Sequence, residues 1–174
     1  MNIHKILIVP ALLLLGAATA FGQVTKTKDY YKVENDFLII ASKKDYREAQ
    51  KIAREASQKL KVTYNTRGAL LDTITGNLKY SKDTCEAIGG KNNYPCNRIR
   101  GLLGVSPEPK DNGIYITIEQ TYHYTNLTKG YFAVVAGSGN PGDKDLKTYL
   151  TKVKKLYPDS YIKRVTLFYD ACGE

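Results

Sequence analysis

Gly130-Tyr-Phe-Ala-Val-Val-Ala-Gly-Ser-Gly139 is the stretch of sequence that decides the predicted fold. It alternates at first and then becomes continuously apolar, which is typical of a strand inside a sheet. Small and turn-forming residues follow over 137–142 and predict a tight connection. Residues 146–157 then carry apolar side chains at helical spacing, and residues 161–169 predict another strand. The whole segment 130–169 therefore predicts one β-α-β unit.

A second, weaker copy of this unit lies earlier in the chain. Residues 37–41 form a continuous apolar run of strand length. Asp45 stands three residues before Glu48, a spacing typical of a helix start, and apolar residues recur at helical spacing as far as Leu60. Residues 61–67 then alternate as a strand, which completes the copy.

The two copies, half-repeats 36–67 and 130–169, predict an α+β fold. Two β-α-β units with both helices on one face of a shared antiparallel sheet make a ferredoxin-like sandwich. An insertion over 69–113 and an extra strand over 114–124 separate the halves. The insertion is rich in Gly and Pro. Because a structureless loop of about 45 residues is uncommon in a compact domain, we expect short strands or helical turns within it.

The beginning of the chain predicts export. Residues 1–22 combine one basic residue, Lys5, with an apolar run over 6–20 and small residues at its end, the pattern of a secretory signal peptide. The apolar run is shorter than the ~20 residues needed to span a bilayer. We therefore expect a signal peptide over 1–22, a single domain over 23–174 without a transmembrane segment, and a periplasmic or secreted location in a bacterium.

Net charge and tyrosine content indicate the kind of partner. The chain carries 26 Lys and Arg against 17 Asp and Glu, a formal net charge of +9, which favours anionic partners such as cell-wall polymers or membrane surfaces. For an exported protein we expect no nucleic acid. Tyrosine accounts for 14 of 174 residues, and its broad apolar face with a polar tip suits contact with sugars or proteins. The alternative is that most of these rings edge a β-rich core.

The cysteines predict one disulfide and leave one thiol open. An exported protein meets an oxidising compartment, and Cys85 and Cys96 flank a turn-rich loop that a bridge would close. Cys172 is then free, pairs between molecules, or competes for one of the other two. The spacings match no zinc pattern, so we expect neither a metal nor a cofactor. A Cys-His hydrolase using His123 has no recognisable motif to support it.

One combination of segments is distinctive. It consists of Tyr131-Phe-Ala-Val-Val-Ala-Gly-Ser138, the helix over 146–156 and especially Lys155-Leu-Tyr-Pro-Asp-Ser-Tyr-Ile-Lys163. These segments resemble the SPOR (sporulation-related repeat) family of exported bacterial proteins, and residues 37–64 resemble the first half of its repeat. The whole arrangement is similar to SPOR-like exported proteins of Bacteroidetes. The resemblance implies a non-catalytic module that binds peptidoglycan glycan strands stripped of stem peptides, on the sheet face away from the helices.

The chain departs from that family pattern at residues expected to touch a glycan. Where the family carries a polar residue, usually Gln, and then an aromatic one, this chain has Val135 and Gly139, and Ile40 replaces a polar group in the first half. Both strands are thus apolar on both faces. This predicts that the insertion 69–113 covers the second face of the sheet.

The candidate contact residues are aromatic or basic side chains on and beside the predicted strands. Each has an alternative interpretation as an ordinary strand-edge residue. We expect a protein that binds peptidoglycan, with an inhibitor or immunity factor for an envelope enzyme as the alternative. We do not expect an enzyme, since no nucleophile-base pair, paired carboxylates or metal cluster is recognisable. The candidate contacts are Tyr122, Tyr124, Tyr131, Tyr161 and Arg164.

Overall fold

The described part of the chain folds into an antiparallel sheet with two helices, which confirms the predicted α+β class. The computed structural model describes residues 25–27, 30–66, 68–80 and 113–170. In chain order the elements are β1 (Thr25–Thr27), β2 (Tyr30–Lys43), α1 (Tyr46–Leu60), β3 (Ala69–Leu71), β4 (Leu78–Tyr80), β5 (Thr117–Gln120), β6 (Phe132–Gly139), α2 (Lys144–Lys154) and β7 (Tyr161–Asp170).

The main sheet has the strand order β7-β2-β6-β5, and each neighbouring pair is antiparallel. β2 pairs with β7 along residues 30–39 and with β6 along residues 36–43. β1 adds a short antiparallel pair with residues 30–32 of β2, and β3 and β4 form a separate hairpin. The two strands predicted from continuous apolar runs, β2 and β6, therefore lie in the middle of the sheet.

Both helices pack on the same face of the sheet, as the sequence predicts. α1 presents Ala49, Ala53 and Ala56, whose small side chains are fully buried and allow the helix to approach the sheet closely. α2 contributes larger side chains to the same cluster. This helix-side core contains Leu38, Ile40, Ala49, Ala53, Ala56, Ile116, Ile118, Val134, Ala136, Leu146, Tyr149 and Val153.

α1 begins and ends through local hydrogen bonds. Asp45 lies in an extended conformation, and its carboxylate accepts a hydrogen bond from the Glu48 amide at 2.9 Å, which confirms the predicted cap. At the other end Lys61 adopts the left-handed conformation, with φ of 55°, and its amide donates to the carbonyl of Ser57. Lys61 therefore turns the chain sharply out of the helix.

The predicted strand over 61–67 is wrong. Among the described residues of that segment, Tyr64 alone forms a β-bridge, and this bridge is parallel, to Ile116. The position beside β6 is occupied by β5, which pairs with it in antiparallel register. The segment after α1 consequently lies outside β5 and contacts the sheet at a single point of its edge.

The predicted extra strand over 114–124 is shorter in the structure. β5 ends at Gln120, and a 3-10 turn follows over Thr121–His123. The amide of Thr121 donates to the carbonyl of Tyr131 at 2.9 Å, and the amide of Tyr131 donates to the Thr121 hydroxyl at 3.0 Å. These bonds close the base of a loop, so the residues after Thr121 leave the plane of the sheet.

Residues 121–131, which we call the strap, cross the sheet before the chain enters β6. The amide of Thr125 donates to the carbonyl of Thr166 in β7 at 3.0 Å. Because β5 and β7 are the two outer strands, the strap has to pass over β6 and β2 to make this contact.

The strap packs on the sheet face away from the helices, which we call the second face. This face is buried, which confirms that it is covered. The sequence predicts the insertion as the cover, but the described hairpin β3–β4 packs against the helix-side core through Leu78 instead. The buried residues of the second face are Phe37, Ile39, Ala133, Val135 and Val165, and Tyr124 and Leu127 of the strap pack against them.

Other predicted features are only partly within the described residues. The hairpin β3–β4 confirms short strands in the first part of the insertion. The signal peptide over 1–22, the Cys85 to Cys96 disulfide and Cys172 lie outside the described residues. Within the described ranges, neither helix has the length and apolar character needed to cross a membrane.

Candidate functional site

Two of the predicted contact residues, Tyr122 and Tyr131, lie at one end of the sheet. Tyr122 follows β5, Tyr131 precedes β6 and Tyr161 opens β7. β2 and β5 end where β6 begins, which places Tyr122 and Tyr131 at that end, whereas Tyr161 pairs with Ile39, four residues before the end of β2. Tyr122 is 67% exposed and Tyr161 is 46% exposed, while Tyr131 is half-buried. These rings are accessible to a partner.

Tyr124 belongs to the core, which corrects its prediction as a contact residue. It is buried, and its ring packs edge-on against Phe37 with the ring centroids 5.1 Å apart. Its hydroxyl donates to the Glu119 carboxylate at 2.8 Å, and Glu119 is itself buried. Tyr124 therefore anchors the strap to the second face. The alternating sequence around it is compatible with either exposure, so pattern alone does not distinguish the two roles.

Arg164 lies apart from the tyrosines. Its neighbour Val165 belongs to the second face, and successive residues of a strand point to opposite faces, so Arg164 is on the helix side. The guanidinium donates two hydrogen bonds to Asp36, at 2.9 and 3.3 Å, which raise the pKa of Arg164 above its ordinary value. Asp36 is buried and also accepts a hydrogen bond from the amide of Gly142 at 2.7 Å. Arg164 thus stabilises the fold.

Two lysines that the sequence analysis does not single out accompany the exposed rings. The ammonium of Lys129 lies 5.5 Å from the centroid of the Tyr122 ring, and that of Lys44 lies 5.7 Å from the centroid of the Tyr131 ring. Both distances are within the range of a cation–π contact. We call these four residues the tyrosine–lysine end. The available sequence signal is a lysine beside a strand end at each position, which is too common to be specific.

The strap holds Lys129 in place. Its ammonium donates to the carbonyl of Tyr122 at 2.6 Å and to the carbonyl of Tyr124 at 3.0 Å. A lysine has three N–H donors, so one remains for another acceptor. Lys129 therefore presents its charge at a defined position beside the Tyr122 ring.

The tyrosine–lysine end carries two positive charges, those of Lys44 and Lys129. Within the described part of the chain, neither Lys44 nor Lys129 forms an ion pair, and Asp45, next to Lys44, caps α1. Four other lysines of the described residues do form ion pairs with carboxylates on the surface. These pairs are Lys32 with Glu34, Lys43 with Glu48, Lys59 with Glu55 and Lys79 with Asp72.

This arrangement is suited to binding an anionic ligand with a ring. Exposed tyrosine faces pack against apolar ring faces, and unpaired ammonium groups attract negative charge. The residues described by the structure contain no group of three or more His, Cys, Asp or Glu side chains positioned to hold a metal ion.

Comparisons of this chain with protein-family models, curated proteins and solved structures give no match. The functional proposal therefore depends on the fold, the tyrosine–lysine end and the resemblance of the sequence segments.

Proposed function

We propose that this protein is a non-catalytic binding protein of a bacterial cell envelope that recognises peptidoglycan glycan strands. The observation that carries the proposal is the tyrosine–lysine end, where the exposed Tyr122 ring and the half-buried Tyr131 ring stand beside lysines that form no ion pair within the described ranges. A glycan strand offers apolar ring faces for the tyrosines and hydrogen-bonding groups for the lysines. The predicted signal peptide over 1–22 supports an envelope or secreted location.

The fold supports the SPOR-like part of the proposal. The order β7-β2-β6-β5 with both helices on one face agrees with a ferredoxin-like sandwich in which β5 takes the place predicted for residues 61–67. The segments that resemble the family lie in β2, β6, α2 and β7. This support concerns architecture and does not by itself specify a ligand.

The proposed contact differs in place from what the resemblance implies. The family resemblance implies binding on the second face, but here that face is apolar and the strap packs against it. We therefore infer that the glycan contacts the adjacent end of the sheet, through Tyr122 and Tyr131.

The test is a pull-down with purified sacculi, with and without amidase treatment that strips stem peptides. We expect binding that increases after amidase treatment. Replacing Tyr122 by Ala should lower the affinity about tenfold, because an exposed aromatic contact of this kind contributes roughly 1–2 kcal/mol. Lys152→Gln serves as a control, since Lys152 lies on α2 over the buried Tyr149 ring. No enrichment on either form of sacculus would overturn the proposal.

A second candidate is a protein-binding role as an inhibitor or immunity factor for an envelope enzyme. The hairpin β3–β4 favours it, because Leu70 is 54% exposed and Ile74, at the hairpin tip, is 92% exposed. The hairpin is fixed to the end of β5, since the amide of Leu78 donates to the side-chain oxygen of Gln120 at 3.1 Å. Deleting residues 85–96 should then abolish capture of a protein partner, and unchanged capture would count against this role.

A further inference from the structure

Starting from the proposed glycan-binding role, we propose that the tyrosine–lysine end selects glycans whose sugars carry a carboxylate. Each of its two halves consists of one tyrosine ring and one ammonium group near it. The ammonium lies 5.5 Å from the ring centroid in the pair Tyr122 and Lys129, and 5.7 Å in the pair Tyr131 and Lys44. Each half thus offers a ring for the sugar face and an ammonium group for a carboxylate. The inference rests on the proposed function, because the rings must bind a glycan before the lysines can select an acidic one.

The two halves are held next to each other by the backbone. The hydrogen bonds between Thr121 and Tyr131, at 2.9 and 3.0 Å, join the start and the end of the strap. Tyr122 follows Thr121 directly, so its backbone lies next to the residue that is hydrogen-bonded to Tyr131. Since the strap is also fixed at Thr125 on β7, the spacing of the halves is set before any ligand binds.

The lysines are positioned to donate hydrogen bonds to a carboxylate and not merely to add charge. Lys129 uses two donors on strap carbonyls and retains one, which points to a single additional acceptor. Lys44 forms no ion pair within the described ranges and contacts the Tyr131 ring. A carboxylate on the bound sugar would give each ammonium a charge-assisted hydrogen bond, which is stronger than a bond to a neutral hydroxyl.

A second basic region of the protein shows why the rings matter. The end of α2 carries Lys152, Lys154 and Lys155, but the ring next to Lys152 is that of the buried Tyr149. A simple polyanion would find charge at both regions. Of the described cation–π contacts of these two regions, those at the tyrosine–lysine end leave an accessible ring beside the charge.

The experiment compares three probes on the purified protein by calorimetry. Hyaluronan oligosaccharides carry a carboxylate on alternate sugars, chitin oligosaccharides of the same length carry none, and polyphosphate carries charge without sugar rings. We expect hyaluronan to bind about a hundredfold more tightly than chitin, because two charged hydrogen bonds are added and each contributes about tenfold. Polyphosphate binding should be unaffected by Tyr122→Leu, whereas hyaluronan binding should weaken.

Variants assign the selectivity to the two lysines. Lys44→Gln and Lys129→Gln should each reduce the preference for hyaluronan over chitin by about tenfold, while Lys152→Gln should leave it unchanged. Because Lys129 also fixes the strap, thermal unfolding of each variant is measured in parallel, and Lys44→Gln remains informative if Lys129→Gln unfolds.

The outcomes separate this inference from the proposed function. Equal affinity for hyaluronan and chitin overturns carboxylate selection while glycan binding stands. The same holds if Lys152→Gln reduces the preference for hyaluronan as much as Lys44→Gln and Lys129→Gln do. Hyaluronan binding that is insensitive to Tyr122→Leu shows attraction by charge alone and also overturns the inference. Binding to sacculi without binding to either oligosaccharide overturns the inference as well. No binding to sacculi, hyaluronan or chitin overturns both the inference and the proposed function.

Discussion

Asp36 joins three parts of the fold through its carboxylate. It accepts two hydrogen bonds from Arg164 in β7 and one from the amide of Gly142, just before α2. Asp36 is buried, whereas the side chain of Arg164 is 47% exposed, so solvent weakens the ionic part of the interaction more than the backbone contact. The carboxylate at this position therefore links β2, β7 and the turn before α2.

Asp36→Asn should destabilise the protein by about 1–3 kcal/mol, since the amide loses the charge and one of its acceptor positions. Urea-induced unfolding measures the change. The control is Asp159→Asn, because Asp159 is exposed and outside the ion pairs of the described residues; it should alter stability by less than about 0.5 kcal/mol. Equal effects of the two substitutions would contradict the structural role of Asp36.

Tyr64 predicts a dependence of stability on alkaline pH. Burial, with smaller contributions from Tyr46, raises the pKa of Tyr64 from 10.0 to about 12. The folded state therefore keeps the proton that the unfolded state loses above about pH 10. The stabilisation is complete below that pH and decreases as the pH rises towards 12. Tyr64→Phe should make this decrease smaller. Urea unfolding at about pH 9 and about pH 11 gives the free energy of unfolding at each pH, and an equal drop for the wild-type protein and Tyr64→Phe would refute the prediction.

At the scale of the elements, the end of α1 is strained at one residue. Lys61 has a φ of 55°, a conformation that costs a residue with a Cβ atom about 1 kcal/mol and costs glycine little. The helix still ends there because the Lys61 amide donates to the carbonyl of Ser57. The chain therefore leaves the helix abruptly at Lys61.

Lys61→Gly should therefore stabilise the protein by about 0.5–1 kcal/mol, measured by chemical denaturation. Lys59→Gly is the matched control, because Lys59 is exposed in the last turn of the same helix, where glycine should cost about 1 kcal/mol. If both substitutions destabilised equally, the left-handed end of α1 would be wrong.

At the scale of the whole molecule, the strap replaces the expected insertion as the described cover of the second face. It starts at the outer strand β5 and reaches the opposite outer strand β7 at Thr166. Along this path Tyr124 and Leu127 pack on the apolar residues of β2, β6 and β7. The strap thus closes one layer of the core and also places Tyr122 and Lys129 at the end of the sheet.

Two tyrosines of the strap, two positions apart, should respond differently to truncation. Tyr124→Ala should cost about 3–5 kcal/mol, because it removes a buried aromatic ring and one hydrogen bond to Glu119. Tyr122→Ala should change stability by less than about 0.5 kcal/mol, because the ring is largely exposed. Thermal unfolding of both variants provides the measurement, and similar midpoints would show that the strap does not anchor the second face.

Much of the fold was predictable because the relevant signals are local. The apolar runs of β2 and β6, the helical spacing of α1 and α2 and the cap at Asp45 each depend on residues within a few positions of one another. The predicted strands over 61–67 and 114–124 failed in part, because whether an alternating segment pairs depends on which neighbour occupies the sheet edge. Alternation likewise did not separate Tyr124 from Tyr122.

The sequence by itself determined the two helices, the central strands with apolar residues on both faces and the basic charge. Only the tertiary structure decided that the strap crosses the second face, that Arg164 pairs with Asp36 and that Lys44 and Lys129 lie beside tyrosine rings. The physical reason is range: periodicity and capping are set by near neighbours, whereas these contacts require strands distant in sequence to be packed side by side.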